Sequence, residues 1–311
     1  MTCQKTFSPG LRTLALAAAA FVLPLQPVMA QTAPATAPPP APALAKQLKP
    51  ALWKVADEDT TIYLFGTIHA LPKGLQWLDG PVGAALDSSG ELVTEIPDAP
   101  QAEQQQVVMK LGLLQGETLR SMMTEADRIA YEALLAKLKI PAAAFDPMEP
   151  WLAGVALGSM PYMLAGYGKD DGAEAVLRKA ALAKGKKQGA LETVEFQLGL
   201  FDSLQRDIQL KFLNQAVRDF DKAGPIISTM TSEWGKGNTE GLAKLLNESM
   251  DDPDLAEPLL FQRNRIWASW IRKRLEQPGT VFVAVGAGHL AGQKSVQDML
   301  TRQGVTAVRV Q

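Results

Sequence analysis

The 311-residue chain contains two histidines, and both close the same tetrapeptide. His69 ends Gly66-Thr67-Ile68-His69, and His289 ends Gly286-Ala287-Gly288-His289, 220 residues later. Each Gly-x-x-His follows an apolar run that reads as a buried strand: Ile62-Tyr63-Leu64-Phe65 before the first, Val281-Phe282-Val283-Ala284-Val285 before the second. Imidazole titrates near neutrality and is the commonest metal ligand. Ligands of open α/β sheets collect outside the carboxyl ends of strands, so the two motifs read as halves of one site. Glu95, closing Leu92-Val93-Thr94-Glu95, is the third candidate. Strand alternation puts it on the side of Val93, where a buried carboxylate needs a partner. Its strand is expected to be the parallel neighbour of the His69 strand.

Two imidazoles and a carboxylate suit a divalent metal with open positions for water. Such an ion lowers the pKa of bound water and polarises a carbonyl. His69, Glu95 and His289 are therefore candidate metal ligands and candidate catalytic groups. In a metal-free variant, Glu95 orients one imidazole, which deprotonates water. Supporting candidates are Glu192 at a strand end, Gln197 one turn into the next helix, and Arg263 beside Asn264. Arg263 and Trp267 share a helical face, and an arginine there could pin a carboxylate or oxyanion. The glycines of the motifs, Gly66 and Gly286, let the backbone turn sharply into each histidine. Gly-x-Ser-x-Gly is absent, and no dinucleotide fingerprint follows Gly286-Ala287-Gly288.

A sheet must hold these groups. Residues 52–55 and 61–65 flank Asp57-Glu58-Asp59 and read as a hairpin. A helix is expected over 75–89, starting near Asp79 and Pro81, then a strand over 91–96 stopped by Pro97. Helix then dominates: 99–114, 124–138 with Thr124 and Asp127 as a capping pair, 151–164, 173–183, 196–220, 225–236, 239–249 and 258–275. One short strand, 189–192, interrupts it. The tail returns to strand 280–285, helix 293–303 and strand 305–310. Neither end can bury its apolar strands alone, so both share one sheet. The expected fold is α/β with α+β character: a mixed central sheet from residues 50–98 and 277–311, wrapping a mainly helical insertion, 99–276.

Residues 1–30 read as a signal peptide, with Lys5 and Arg12 before an apolar core and Val28-Met29-Ala30 at the cleavage site. Residues 31–49 are rich in Ala and Pro and read as a disordered linker. Residues 50–311 form the folded domain. The leader predicts a periplasmic or secreted protein with no transmembrane span after cleavage. Cys3, the single cysteine, lies in the leader, so disulfides and thiolate chemistry are excluded from the mature chain. Losing Lys5 and Arg12 moves the net charge from −2 to −4. No basic stripe remains for nucleic acid.

These pieces together resemble the TraB/GumN family, related to the Tiki metalloproteases of animals. The matching residues are Gly66-Thr67-Ile68-His69, Glu95, Pro150-Trp151, Leu191-Glu192-Thr193 with Gln197, Arg263-Asn264, and Val285-Gly286-Ala287-Gly288-His289-Leu290. One departure is Gly172-Ala173-Glu174, where the family usually has Gly-Val-Asp. The resemblance implies an α/β core with paired Gly-x-x-His motifs and a helical insertion. It also implies fold kinship to erythromycin esterases and to a haem-binding lipoprotein family, and peptide cleavage with manganese or cobalt in the animal relatives. The reading is thus a metal-dependent hydrolase, a peptidase by preference, using manganese, cobalt or zinc on a peptide or small-molecule substrate. The alternatives are a non-catalytic peptide- or haem-binding protein, for which Tyr63, Tyr131, Tyr162 and Tyr167 are the available tyrosines, and a metal-independent esterase using His and Glu.

Overall fold

The computed structural model describes residues 47–247 and 252–311. The expected leader, most of the expected linker, and the end of the helix expected over 239–249 lie outside the described residues. Leu48 is already buried, packed against Gly235, and the Lys49 N–H donates to the Gly235 carbonyl. Packing therefore begins just before Pro50. No helix among the described residues is long and apolar enough to cross a membrane.

The main sheet is mixed and has six strands: β1 (Leu52–Ala56), β2 (Thr60–Thr67), β4 (Glu91–Thr94), β6 (Lys187–Ala190), β7 (Gly279–Gly286) and β8 (Val308–Arg309). A separate two-stranded ribbon joins β3 (Leu71–Pro72) to β5 (Tyr167–Gly168). The spatial order is β6-β4-β7-β2-β1-β8. β1 runs antiparallel to β2 and to β8; β2, β7, β4 and β6 are parallel. Both ends of the folded chain thus build one sheet, as expected.

The expected adjacency of β2 and β4 is corrected, because β7 lies between them. Thr67 faces Gly286 on one side of β7, and Thr94 faces Ala284 on the other. The reason is burial. Val281, Val283 and Val285 pack on one face while Phe282 and Ala284 pack on the other. A strand apolar on both faces is a central strand. The insertion of β7 brings the two Gly-x-x-His motifs side by side, with Glu95 on the far flank.

Helices cover both faces. On one side lie α1 (Gly80–Ser88), α5 (Ala173–Ala183), α8 (Ala223–Gly235) and α9 (Thr239–Asn247). Phe65, Trp77, Trp234 and Phe282 form an aromatic cluster there, with Phe65 stacked on Trp77 at 5.4 Å. The opposite face is covered by α10 (Gln262–Arg274) and α11 (Val296–Arg302). The remaining helices, α2 (Gln101–Leu111), α3 (Glu125–Lys137), α4 (Pro150–Leu164), α6 (Val194–Asp202) and α7 (Arg206–Asp219), build a helical lobe. Its centre is α4, whose Trp151, Leu152, Ala153 and Leu157 are all buried; the expectation of a helix buried on every side fails at its last turn, where Met163 and Leu164 are exposed.

Two helical expectations are corrected. The single helix over 196–220 is two, α6 and α7, separated at Ser203-Leu204-Gln205. Apolar periodicity runs across that break because both helices pack on α4 and hide it. The helix expected from 258 begins with a π turn at Glu257–Phe261, which leads into α10. Such wide turns recur at functional sites, and this one immediately precedes Arg263.

Candidate functional site

Backbone contact between the two motifs sets the site. A Cβ on Gly66 would lie 3.0 Å from Ala287 Cα, so only glycine lets β2 abut the second motif this closely. Trp234 Nε1 donates to the Gly66 carbonyl at 2.7 Å, which pins the start of the first motif to the aromatic cluster. Gly286 has an ordinary backbone conformation (φ −50°, ψ 135°). Its N–H donates to Glu95 Oε1 at 2.6 Å. A Cβ there would lie 3.1 Å from Glu95 Oε1, 3.6 Å from His289 Cδ2 and 4.0 Å from His69 Nε2. Both histidines and Glu95 therefore converge on one glycine, across three parallel strands.

Behind this point lies a buried ionic cluster. Arg263, 4 % exposed, donates Nη2 to Glu95 Oε2 at 2.7 Å and Nη2 and Nε to Glu192 at 2.9 Å. Nη1 donates to the Leu259 carbonyl at 3.1 Å, within the π turn. Trp267 Nε1 also donates to Glu192, at 2.9 Å, and the guanidinium stacks 4.6 Å from the Trp267 ring. Gln197 Nε2 donates to Glu95 Oε2 at 2.9 Å. Every carboxylate oxygen in the cluster accepts at least one hydrogen bond, as burial of two charges requires. Burial works against the ionised form of Glu95, but the charges of Arg263 and the histidines and the Gly286 N–H hold its pKa well below the carboxylate range. For Glu192 burial wins, and its pKa is raised despite Arg263.

The histidines differ sharply. His289 is fully buried. Its Nδ1 donates to Asn264 Oδ1 at 2.6 Å, while Asn264 Nδ2 donates to the Lys294 carbonyl. That fixes the tautomer: Nε2 is unprotonated and accepts from Arg263 Nη1 at 3.1 Å. Burial, reinforced by Arg263, lowers its pKa to about 3. His69 lines a cleft of about 380 Å³, with 18 % of its side chain exposed. Its Nδ1 pairs with Glu174, from the first turn of α5. Burial alone would lower its pKa; the Glu174 carboxylate, with help from Glu95, reverses this and raises it to about 9. His69 Nε2 is buried and has no hydrogen-bond partner among the described residues.

All nine sequence candidates, Gly66, His69, Glu95, Glu192, Gln197, Arg263, Asn264, Gly286 and His289, fall in or directly behind this site. His69, Glu95 and Gln197 line the cleft; His289 does not. None of the four tyrosines lines it. Glu174 is the site residue that sequence does not single out: it stands where the family usually has Asp, but no spacing links it to His69. Gly172 explains the approach of α5. A Cβ there would lie 2.0 Å from the His69 carbonyl oxygen, so glycine is required for α5 to dock under the motif.

The donors suit a divalent ion by their chemistry. Metal-bound histidines characteristically give their other ring N–H to a carboxylate or carbonyl. Here Glu174 holds Nδ1 of His69 and Asn264 holds Nδ1 of His289, so both Nε2 atoms turn inward. The partnerless His69 Nε2 and the cradle over Gly286 fit such an ion beside Glu95. Arg263 stands against it, holding His289 Nε2 and one Glu95 oxygen. Accordingly, no three His, Cys, Asp or Glu side chains form a ready ligand group among the described residues.

A family model described as the TraB/PrgY/gumN family matches residues 51–309. The chain is also similar to an uncharacterized protein of Treponema pallidum (strain Nichols), at 22% identity over 279 residues, covering 84% of this chain and 83% of the relative. No solved structure matches it.

Proposed function

The chain belongs to the TraB/PrgY/gumN family, and we propose on that premise that it is a metal-assisted hydrolase acting on a peptide or related amide in the cleft beside His69. The observation that carries this reading is His69 Nε2, buried, partnerless and turned towards Glu95 over Gly286. His69 and Glu95 would hold the ion, and His289 would join when Arg263 releases its Nε2. A bound divalent ion supplies a Lewis acid and a water of lowered pKa.

The protein's own groups do the positioning. Glu174 keeps the Nδ1 proton of His69, so loss of the Nε2 proton leaves a lone pair facing the site. Asn264 does the same for His289. Gln197 and the Gly286 N–H fix the plane of the Glu95 carboxylate. The metal-free variant is less well served. His289 is buried and already accepts from Arg263, and Glu95 accepts three hydrogen bonds. Neither is free to take a proton from water, and His69, the imidazole that faces the cleft, is held protonated up to about pH 9 by Glu174.

Capture without turnover is separated by assay. Purified protein loaded with manganese, cobalt or zinc is incubated with a short-peptide library, and new amino termini are counted. Turnover that falls at least about a hundredfold in Glu95→Gln is expected. Cleavage by Glu95→Gln at the wild-type rate, or cleavage that survives chelation, contradicts the reading. The leader reading places this activity in the periplasm or outside the cell, which fractionation checks.

A further inference from the structure

Two cations that the hydrolytic site does not use line the cleft, Lys169 and Arg178, and of these Arg178 is the one tied to the end of β4. It lies four residues after Glu174 on α5, so both face the same way, about 6 Å apart along the axis. Its Nη2 donates to Thr94 Oγ1 at 3.0 Å and to the Ile96 carbonyl at 2.7 Å. Thr94 and Ile96 are buried and flank Glu95. Thr94 Oγ1 itself donates to the Ile96 carbonyl at 2.8 Å, so the anchor is rigid. One corner of the guanidinium is thereby fixed to the end of β4. Its Nε and Nη1 make no hydrogen bond among the described residues. Asp170 and Glu174 line the same cleft, but among the described residues the one carboxylate within 4 Å of the guanidinium is Asp98, whose Oδ1 lies 3.7 Å from Nη1 and whose side chain is 67 % exposed. That is an ion pair beyond hydrogen-bond reach, on a carboxylate that solvent already holds.

We infer that Arg178 is a subsite for a carboxylate of the substrate, and that Asp98 is the internal carboxylate it displaces. A guanidinium held by one nitrogen, with its other donors unspent and open to a cleft, is preorganised for an anion. The structural alternative, a brace for the end of β4, accounts for Nη2 alone. The guanidinium's anchors, Thr94 and Ile96, stand either side of Glu95, so a carboxylate held there belongs to the same short segment whose bond is presented to His69 and Glu95. This assignment of substrate class rests on the hydrolase reading; the binding subsite itself does not.

The test measures binding before turnover. The probes are N-acetyl-dialanine as free acid, the same compound as its C-terminal amide, and N-acetyl-glutamyl-alanine amide, which carries only a side-chain carboxylate. Dissociation constants are taken by calorimetry for the whole chain and for Arg178→Gln and Asp98→Ala. The free acid is expected to bind at least about tenfold tighter than the amide, the scale of one charged hydrogen bond. Arg178→Gln abolishes that preference, and Asp98→Ala, which leaves the anchor intact, strengthens it several-fold. The glutamyl amide matching the acid would assign the subsite to any carboxylate; the glutamyl amide matching the plain amide would assign it to the terminal one. Equal binding of acid and amide, absence of binding by all three at millimolar concentration, or a preference that survives Arg178→Gln overturns the inference. Cleavage of acid and amide at equal kcat/KM would sink the subsite and spare the hydrolase. A carboxylate preference without any cleavage would do the reverse.

Discussion

Replacing Glu174 with glutamine should remove the charge that keeps His69 protonated. The structure gives the magnitude. Burial opposes the imidazolium, yet the Glu174 carboxylate on Nδ1 lifts the pKa from 6.5 to about 9. At roughly 1.4 kcal/mol per pKa unit, that shift corresponds to about 3 kcal/mol between the charged and neutral forms. The folded pKa lies above the unfolded one. The stabilisation is therefore complete below pH 6.5 and is lost as pH rises through 9. In Glu174→Gln the burial penalty is left nearly unopposed, so His69 should titrate at its ordinary value or below. The chain is well suited to the assay, because it has two histidines and His289 is neutral above about pH 3. Proton NMR of chelated protein should show one imidazole titrating near pH 9 in the wild type and at least about two pH units lower in the variant. Urea unfolding should show a deficit of up to about 3 kcal/mol at pH 6 that mostly closes by pH 10. A wild-type imidazole titrating near 6.5, or an equal stability loss at both pH values, would refute the reasoning.

Other perturbations probe the cluster and its glycines. Arg263→Met leaves Glu95 and Glu192 buried without their cation and should cost about 3–5 kcal/mol in urea unfolding. Arg263→Lys should restore little of it, because one ammonium cannot reproduce the forked contacts to both carboxylates. Gly286→Ala places a methyl in the cradle at a backbone conformation alanine accepts. Metal uptake and turnover should fall at least about tenfold with thermal stability little changed, since the fault is local. Gly172→Ala drives a methyl into the His69 carbonyl. It should lower stability and return the His69 pKa towards its ordinary value, read by the same NMR titration.

The paired motifs were legible because each glycine and histidine sat at the end of an apolar strand, and that pattern survives any sequence distance. Glu95 was legible because a carboxylate in register with Val93 had to find a partner. The strand order was not legible. Chain order suggests that β2 and β4 pair, and only packing shows that the two-faced apolar strand β7 must enter between them. Glu174 and Trp234 were illegible for a similar reason. Their roles depend on how α5 and α8 dock on the first motif, through Gly172 and Gly66, and no local spacing records that docking. The break at residues 203–205 and the π turn before Arg263 were masked by apolar periodicity that continues through both.

The central claim is that His69, Glu95 and His289 form one site for a divalent ion. The most direct test is the metal content of purified protein after exposure to manganese, cobalt and zinc and then desalting, compared with His69→Ala and His289→Ala. About one ion per chain in the wild type, lost in His69→Ala and reduced or lost in His289→Ala, is the predicted result. A wild type that retains no ion, or a His69→Ala variant that retains it fully, contradicts the account.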